Sequence, residues 1–170
     1  VHLGVRRSPL HSAGEVLALA RHVRESQGVR LDGLLAYEAQ IAALGDDSPF
    51  EPWMNPVKRA IRSVSEREVA RRRTQMVEAL RGDGFSLALV NGGGTGSLDT
   101  TLEESAVTEV TAGSGFFNPH LFDYIGIPHA RSLEPASFFA LEITRRPAPN
   151  MVTCLGGGYV ASGEPGPDKV

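Results

Sequence analysis

A rhythm of apolar run, loop, capped helix and short return to another apolar run organises most of this chain, and it leaves few folds open. Ser12-Ala13-Gly14-Glu15 is a capping box, serine at the N-cap and glutamate three residues on, and Val16, Leu19, Ala20 and Val23 follow at helical spacing. Gly28 is the expected C-cap. Residues 31–37 read as a strand, mostly apolar on both faces as a covered parallel strand is. Ser65-Glu66-Arg67-Glu68 reads as a second capping box, ahead of a stripe of Val69, Met76, Val77 and Leu80, with Gly82 and Gly84 ending that helix. Residues 85–90 and 107–110 read as further strands, and residues 1–5 as the end of an earlier one. The alternation predicts parallel βα units with right-handed crossovers. Four strands are too few for a closed barrel, which needs eight, so the chain is expected to be an internal piece of a larger fold.

Two of these strands run into glycine-rich turns. Residues 87–90 lead to Asn91-Gly92-Gly93-Gly94-Thr95-Gly96-Ser97, and residues 107–110 lead to Thr111-Ala112-Gly113-Ser114-Gly115. Such turns expose backbone N–H groups with no side chain in the way, and the small hydroxyls add neutral donors. On consecutive strands they can converge on one phosphate at the C-terminal edge of a parallel sheet. The first turn is not a P-loop, because no Gly-Lys-Ser/Thr follows, nor a dinucleotide fingerprint, because no long apolar-periodic helix opens after Ser97.

The remaining signals bound the function. A net charge of −3 over 170 residues points to neither nucleic acid nor an anionic membrane. The run Arg71-Arg72-Arg73 reads as the solvated face of a helix. Cys154 is alone, which excludes a disulfide framework and a cysteine-based zinc site. No apolar run approaches the ~20 residues of a membrane span and no signal peptide is visible, so a cytoplasmic soluble protein is expected. Residues 38–64 read as a long loop at a strand end, the usual place for function. Beyond Asn118-Pro119 the pattern changes, and residues 138–144 and 151–155 read as an antiparallel hairpin around Arg145-Arg146-Pro147-Ala148-Pro149-Asn150. A domain boundary is placed near residues 128–136.

The stretch Leu89-Val90-Asn91-Gly92-Gly93-Gly94-Thr95-Gly96, followed by Thr108-Glu109-Val110-Thr111-Ala112-Gly113-Ser114, resembles the D-threonine aldolase / D-serine dehydratase branch of the alanine racemase-like enzymes. These depend on pyridoxal 5′-phosphate (PLP) and pair a (β/α)8 barrel with a β-domain. The resemblance implies an α/β fold: the C-terminal half of a TIM barrel over residues 1–130, then the start of an antiparallel β-domain over residues 131–170. It implies that Gly94 and Thr95 form the first phosphate loop and Gly113 and Ser114 the second. Ser114 alone would also read as a capping hydroxyl. Arg7 matches an arginine near the phenolic oxygen of PLP, where its charge would stabilise an oxyanion. Its neighbour Arg6 leaves the register open by one, and a surface arginine is the plainer alternative. Tyr37 matches an aromatic or histidine position beside the cofactor ring, the alternative being a core tyrosine with a satisfied hydroxyl.

The resemblance also marks departures. Thr111 stands where alanine racemases carry an arginine facing the pyridine nitrogen, which argues for the lyase branch. The Schiff-base lysine is expected upstream of Val1, so no catalytic residue is assigned. Lys58, in a loop or helix start, and Lys169, in the tail, do not suit that role. A divalent metal would be held beyond Val170, and His2, His11, His22, His120 and His129 show no ligand spacing. Glu38-Ala39-Gln40 replaces the family's frequent Gly-His after Tyr37, which bears on the substrate side. The implied activity is that of a lyase or racemase on a D-amino or β-hydroxy amino acid, catalytically silent in this piece alone. The partner is then a small amino acid substrate, and a homodimer of the full-length protein is allowed. A non-catalytic PLP-binding barrel, or a barrel for another phosphorylated ligand, stays open beside it.

Overall fold

The computed structural model describes residues 8–156. Helix α1, Ala13–Glu25, begins as the sequence predicts: Ser12 Oγ accepts from the Glu15 N–H at 3.3 Å, and Glu15 Oε2 accepts from the Ser12 N–H at 2.9 Å. Those bonds satisfy donors that a helix start leaves orphaned. Val16 and Ala20 are buried, but Leu19 is exposed, so the stripe is narrower than its spacing suggested. Ser26, not Gly28, caps the C-terminus; Gly28 lies beyond it in the turn, at φ +76°.

Helix α2 departs most from expectation. It runs from Asn55 to Gly82, 28 residues, so Ser65 is an interior, buried residue rather than an N-cap. The start is set by Pro56, whose fixed φ suits the first turn, and by Asn55, whose side chain accepts from the Ser48 N–H and donates to the Ser48 carbonyl. No glycine or further proline interrupts residues 57–81, so the helix continues through the segment read as loop. Its end follows the Schellman pattern: the Phe85 N–H donates to Leu80 O and the Gly84 N–H to Arg81 O, with Gly84 at φ +87°. Phe85 then packs on the cluster that contains Leu80, Met76, Val16 and Ala20, which joins α1 to α2.

The sheet has three parallel strands in the order β1 (Gly33–Leu35), β2 (Leu89–Gly92), β3 (Glu109–Val110). The strands are shorter than the apolar runs, and β2 extends two residues into the expected turn, pairing Asn91 with Glu109 and Gly92 with Val110. Leu34 pairs with Val90, which is fully buried with Val77 of α2 and Ala106. On the opposite face Asn91 is buried, but its register partner Leu35 is 73% exposed. The strand expected over residues 1–5 lies outside the described residues.

A five-residue helix α3, Leu98–Leu102, follows the first glycine turn, and α4, Pro128–Arg131, precedes the hairpin. The hairpin pairs β4 (Glu142–Ala148) with β5 (Met151–Leu155). It is antiparallel as expected, but its first strand starts later and includes Pro147, which an exposed two-stranded ribbon tolerates. No described helix is long and apolar enough to cross a membrane.

Candidate functional site

Both glycine turns leave the C-terminal ends of their strands. After β2, Gly93 takes φ +94°, Gly94 is extended, and Thr95–Ser97 form a 3-10 turn leading into α3. After β3, Gly113 takes φ +59° and opens a 3-10 turn to Phe116. Positive φ at these two positions explains glycine there. The turns touch: Thr95 Oγ1 donates to Ala112 O at 2.6 Å. Between them and the end of β1 lies a cavity of about 280 Å³, with Ala42 and Phe122 completing its wall. That is near the lower end of ordinary small-ligand pockets, about 300 Å³.

Five of the six residues singled out from sequence line this one cavity: Tyr37, Gly94, Thr95, Gly113 and Ser114. The sixth, Arg7, lies outside the described residues, as does Arg6. Tyr37, 41% exposed, is no core tyrosine; its ring edge packs over Gly94, where an added Cβ would stand 2.9 Å from Tyr37 Cε2 and 2.6 Å from Ala42 Cβ. Thr95 differs from its expected part, since its hydroxyl is committed to the second turn. Its N–H, with those of Gly94, Gly113 and Ser114, meets no protein acceptor among the described residues. Ser114 is exposed and supplies the available hydroxyl. Thr111 lines the same cavity and accepts from Asn91 Nδ2 at 2.8 Å, an amide that also donates to Glu109 Oε1 at 2.6 Å. The site therefore offers neutral donors at one end and an aromatic edge at the other, which suits a phosphate monoester with a flat apolar body.

Beneath the first turn lies a buried ionic network that sequence reading missed. Arg73, taken with Arg71 and Arg72 as a solvated face, is 1% exposed and pairs with Glu38, also 1% exposed. Arg71 and Arg72 do face solvent, bonded to Gln75 and Glu68. Arg73 reaches Glu104 Oε1 at 2.6 Å and donates to Ala36 O at 2.8 Å. Glu38 Oε1 accepts from Thr101 Oγ1 at 2.9 Å, and Oε2 accepts from the Gly93 N–H at 2.7 Å. Burial pushes the Glu104 carboxyl above its ordinary range; the bond and charge of Arg73 pull it back, and the Glu38 charge adds to the rise. A second buried arginine, Arg62, donates to Gly96 O at 2.7 Å, to Leu44 O at 2.5 Å and to Asp46 Oδ2 at 3.0 Å. A signal for both arginines existed: residues 62, 65, 69, 73, 76 and 80 recur at three and four, so they share the buried stripe.

Other candidates do not converge here. Lys58 lies in the first turn of α2, 3.8 Å from Glu51 Oε2, and does not line the cavity. His120 pairs with Asp123, and no group of three His, Cys, Asp or Glu able to hold a metal occurs among the described residues. Lys169 and His2 lie outside them. A larger cavity, about 550 Å³, opens at the other end of the strands beside Arg24, Asp32 and Phe85. Arg24 there is already stacked on Phe85 and paired with Asp83, and ligands of parallel sheets bind at the opposite, C-terminal edge.

No family model matches the chain. A D-threonine aldolase from Arthrobacter sp. is 26% identical over all 170 residues, which span 42% of that protein's length. The crystal structure of D-threonine aldolase from Filomicrobium marinum superposes with a TM-score of 0.67 at 21% identity, over 87% of this chain and 37% of that one. The chain thus resembles D-threonine aldolase along its whole sequence and shares the fold of part of it.

Proposed function

We propose that this chain is the cofactor-phosphate half of a PLP-dependent lyase or racemase acting on a D-amino or β-hydroxy amino acid. The observation that carries the reading is the cavity on which Tyr37, Gly94, Thr95, Gly113 and Ser114 converge, with four N–H groups that meet no protein acceptor among the described residues. The likeness to D-threonine aldolases supports the same reading. It concerns the complete protein, because the chain spans 42% of the length of its curated relative. The three-stranded parallel sheet would belong to half of a (β/α)8 barrel, and the hairpin would open a β-domain from about residue 131.

The residues present fit PLP. The absent Cβ of Gly94 leaves room for Tyr37 to lie against the turn, and neutral N–H donors from two strand ends can share one phosphate. Gly94, Thr95, Gly113 and Ser114 would hold the phosphate, Tyr37 would orient the ring, and Arg7 would face its phenolic oxygen. Bound PLP supplies an electron sink for a bond breaking at the amino acid α-carbon. Thr111 would present a neutral hydroxyl where an arginine would fix a positive charge, which favours the lyase branch over racemisation. The complete protein should show a PLP-dependent visible band that D-threonine or another β-hydroxy amino acid perturbs, with turnover of that amino acid. A protein that takes up no PLP would overturn the reading and leave the cavity to another phosphorylated ligand.

A further inference from the structure

The first glycine turn is buried throughout, and the peptides at its two ends are pinned from behind. The peptide joining Gly92 to Gly93 is fixed on both sides, its carbonyl accepting from the Thr111 N–H at 2.9 Å and its N–H donating to Glu38 Oε2 at 2.7 Å. The Gly96 N–H donates to Ala42 O at 3.0 Å, and the Gly96 carbonyl accepts from Arg62 Nη1 at 2.7 Å. Between these pins lie the two N–H groups, of Gly94 and Thr95, that meet no protein acceptor among the described residues. Glu38 is in turn fixed by Arg73 and by the Thr101 hydroxyl. Arg62 and Arg73 both stand on α2, so one helix holds both ends of the turn.

Charged groups are costly to bury, and an apolar contact would hold a loop in place just as well. What a carboxylate and a guanidinium add is direction: a charge-assisted bond to a backbone N–H or carbonyl fixes the plane of that peptide. From this geometry we propose that Glu38 and Arg62 are positioning residues. By locking the peptides on either side, they aim the Gly94 and Thr95 N–H groups at the phosphate of the ligand. The proposal rests on the reading of the cavity as a phosphate site. It adds that affinity for the phosphate is set from beneath the turn by residues that never touch it.

The test compares binding of pyridoxal 5′-phosphate with binding of pyridoxal to the complete protein, by calorimetry. A positioning role lowers the ratio of the two affinities. A merely structural role lowers both alike, or lowers only the melting temperature. Glu38→Gln, which loses the charge shared with Arg73, should cut the ratio by about tenfold or more, the scale of one charge-assisted hydrogen bond. Thr101→Val, which keeps the side-chain shape and removes one bond to Glu38, should cut it by about threefold, and it decides the matter if Glu38→Gln does not fold. Asp83→Asn, at the far end of α2, should leave the ratio unchanged. A folded variant at Glu38 or Thr101 that retains the wild-type ratio overturns the proposal. A wild-type ratio near one overturns the phosphate reading itself, and the proposal with it.

Discussion

The two glycine turns look alike in sequence and differ in construction. Every residue from Asn91 to Leu98 is buried, whereas Thr111, Gly113, Ser114, Phe116 and Phe117 are exposed. In the first turn an added Cβ would strike Arg73 from Gly92, Ala42 and Tyr37 from Gly94, and the Ala42 carbonyl from Gly96. In the second, Gly113 has open space around it and needs glycine only for its φ of +59°, while Gly115 sits against Thr95. The first turn is a framed part of the core, and the second is a flap tied to it by Thr95. One hydrogen-bonding motif can thus be prepaid by packing on one strand and left to the ligand on the next.

That contrast sets an order of expected effects. Arg73→Met should be the most damaging change, because it leaves the buried Glu38 and the half-buried Glu104 beneath the turn without their counter-charge. A loss of about 3–5 kcal/mol is expected from urea unfolding. Gly94→Ala comes next, at about 1–3 kcal/mol of overpacking, with PLP binding lost as the Tyr37 ring is displaced. Gly113→Ala should cost about 1–2 kcal/mol through backbone strain alone and weaken PLP only a few-fold, since nothing crowds the new methyl. Equal effects of these two alanines, in paired melting and PLP titrations, would erase the distinction between the turns. Thr95→Val should cost about 1 kcal/mol and loosen the second turn more than the first, visible as faster amide exchange at Gly115 than at Ser97.

The smallest effect lies far from both turns. Arg21 holds the Asp83 carboxyl below its ordinary range, chiefly by a hydrogen bond, and joins α1 to the end of α2. A lowered carboxylate pKa adds stability above the unfolded value, about 3.9, and loses it as pH falls through the folded value. Asp83→Asn should therefore flatten the acid end of the stability profile while leaving PLP binding unchanged. An unaltered acid limb would show that this pair contributes nothing.

The parts of the molecule legible in sequence were those that local chemistry decides. The Ser12 capping box, the hairpin and the end of α2 at Gly82 and Gly84 follow from short-range rules, and the two turns can be matched because the parallel alternation places them at one sheet edge. Ser65-Glu66-Arg67-Glu68 misled because a capping box is also an acceptable helix interior, and the real start, Asn55-Pro56, lay ten residues earlier. Arg73 misled because a charge run is normally solvated. Only tertiary contact with Glu38, 35 residues away in sequence, makes its burial tolerable. Thr95 is legible as a site residue, but its bond to Ala112 is not, since no spacing rule tells which acceptor a hydroxyl will choose.

The most direct test of the account is an amide chemical-shift titration of the protein with PLP. If the two turns form one cradle, the Gly94, Thr95, Gly113 and Ser114 amides should shift together along a single binding curve. The Gly93 and Gly96 amides, already bonded to Glu38 and Ala42, should move little. Shifts confined to one turn, or separate curves for the two, would contradict it.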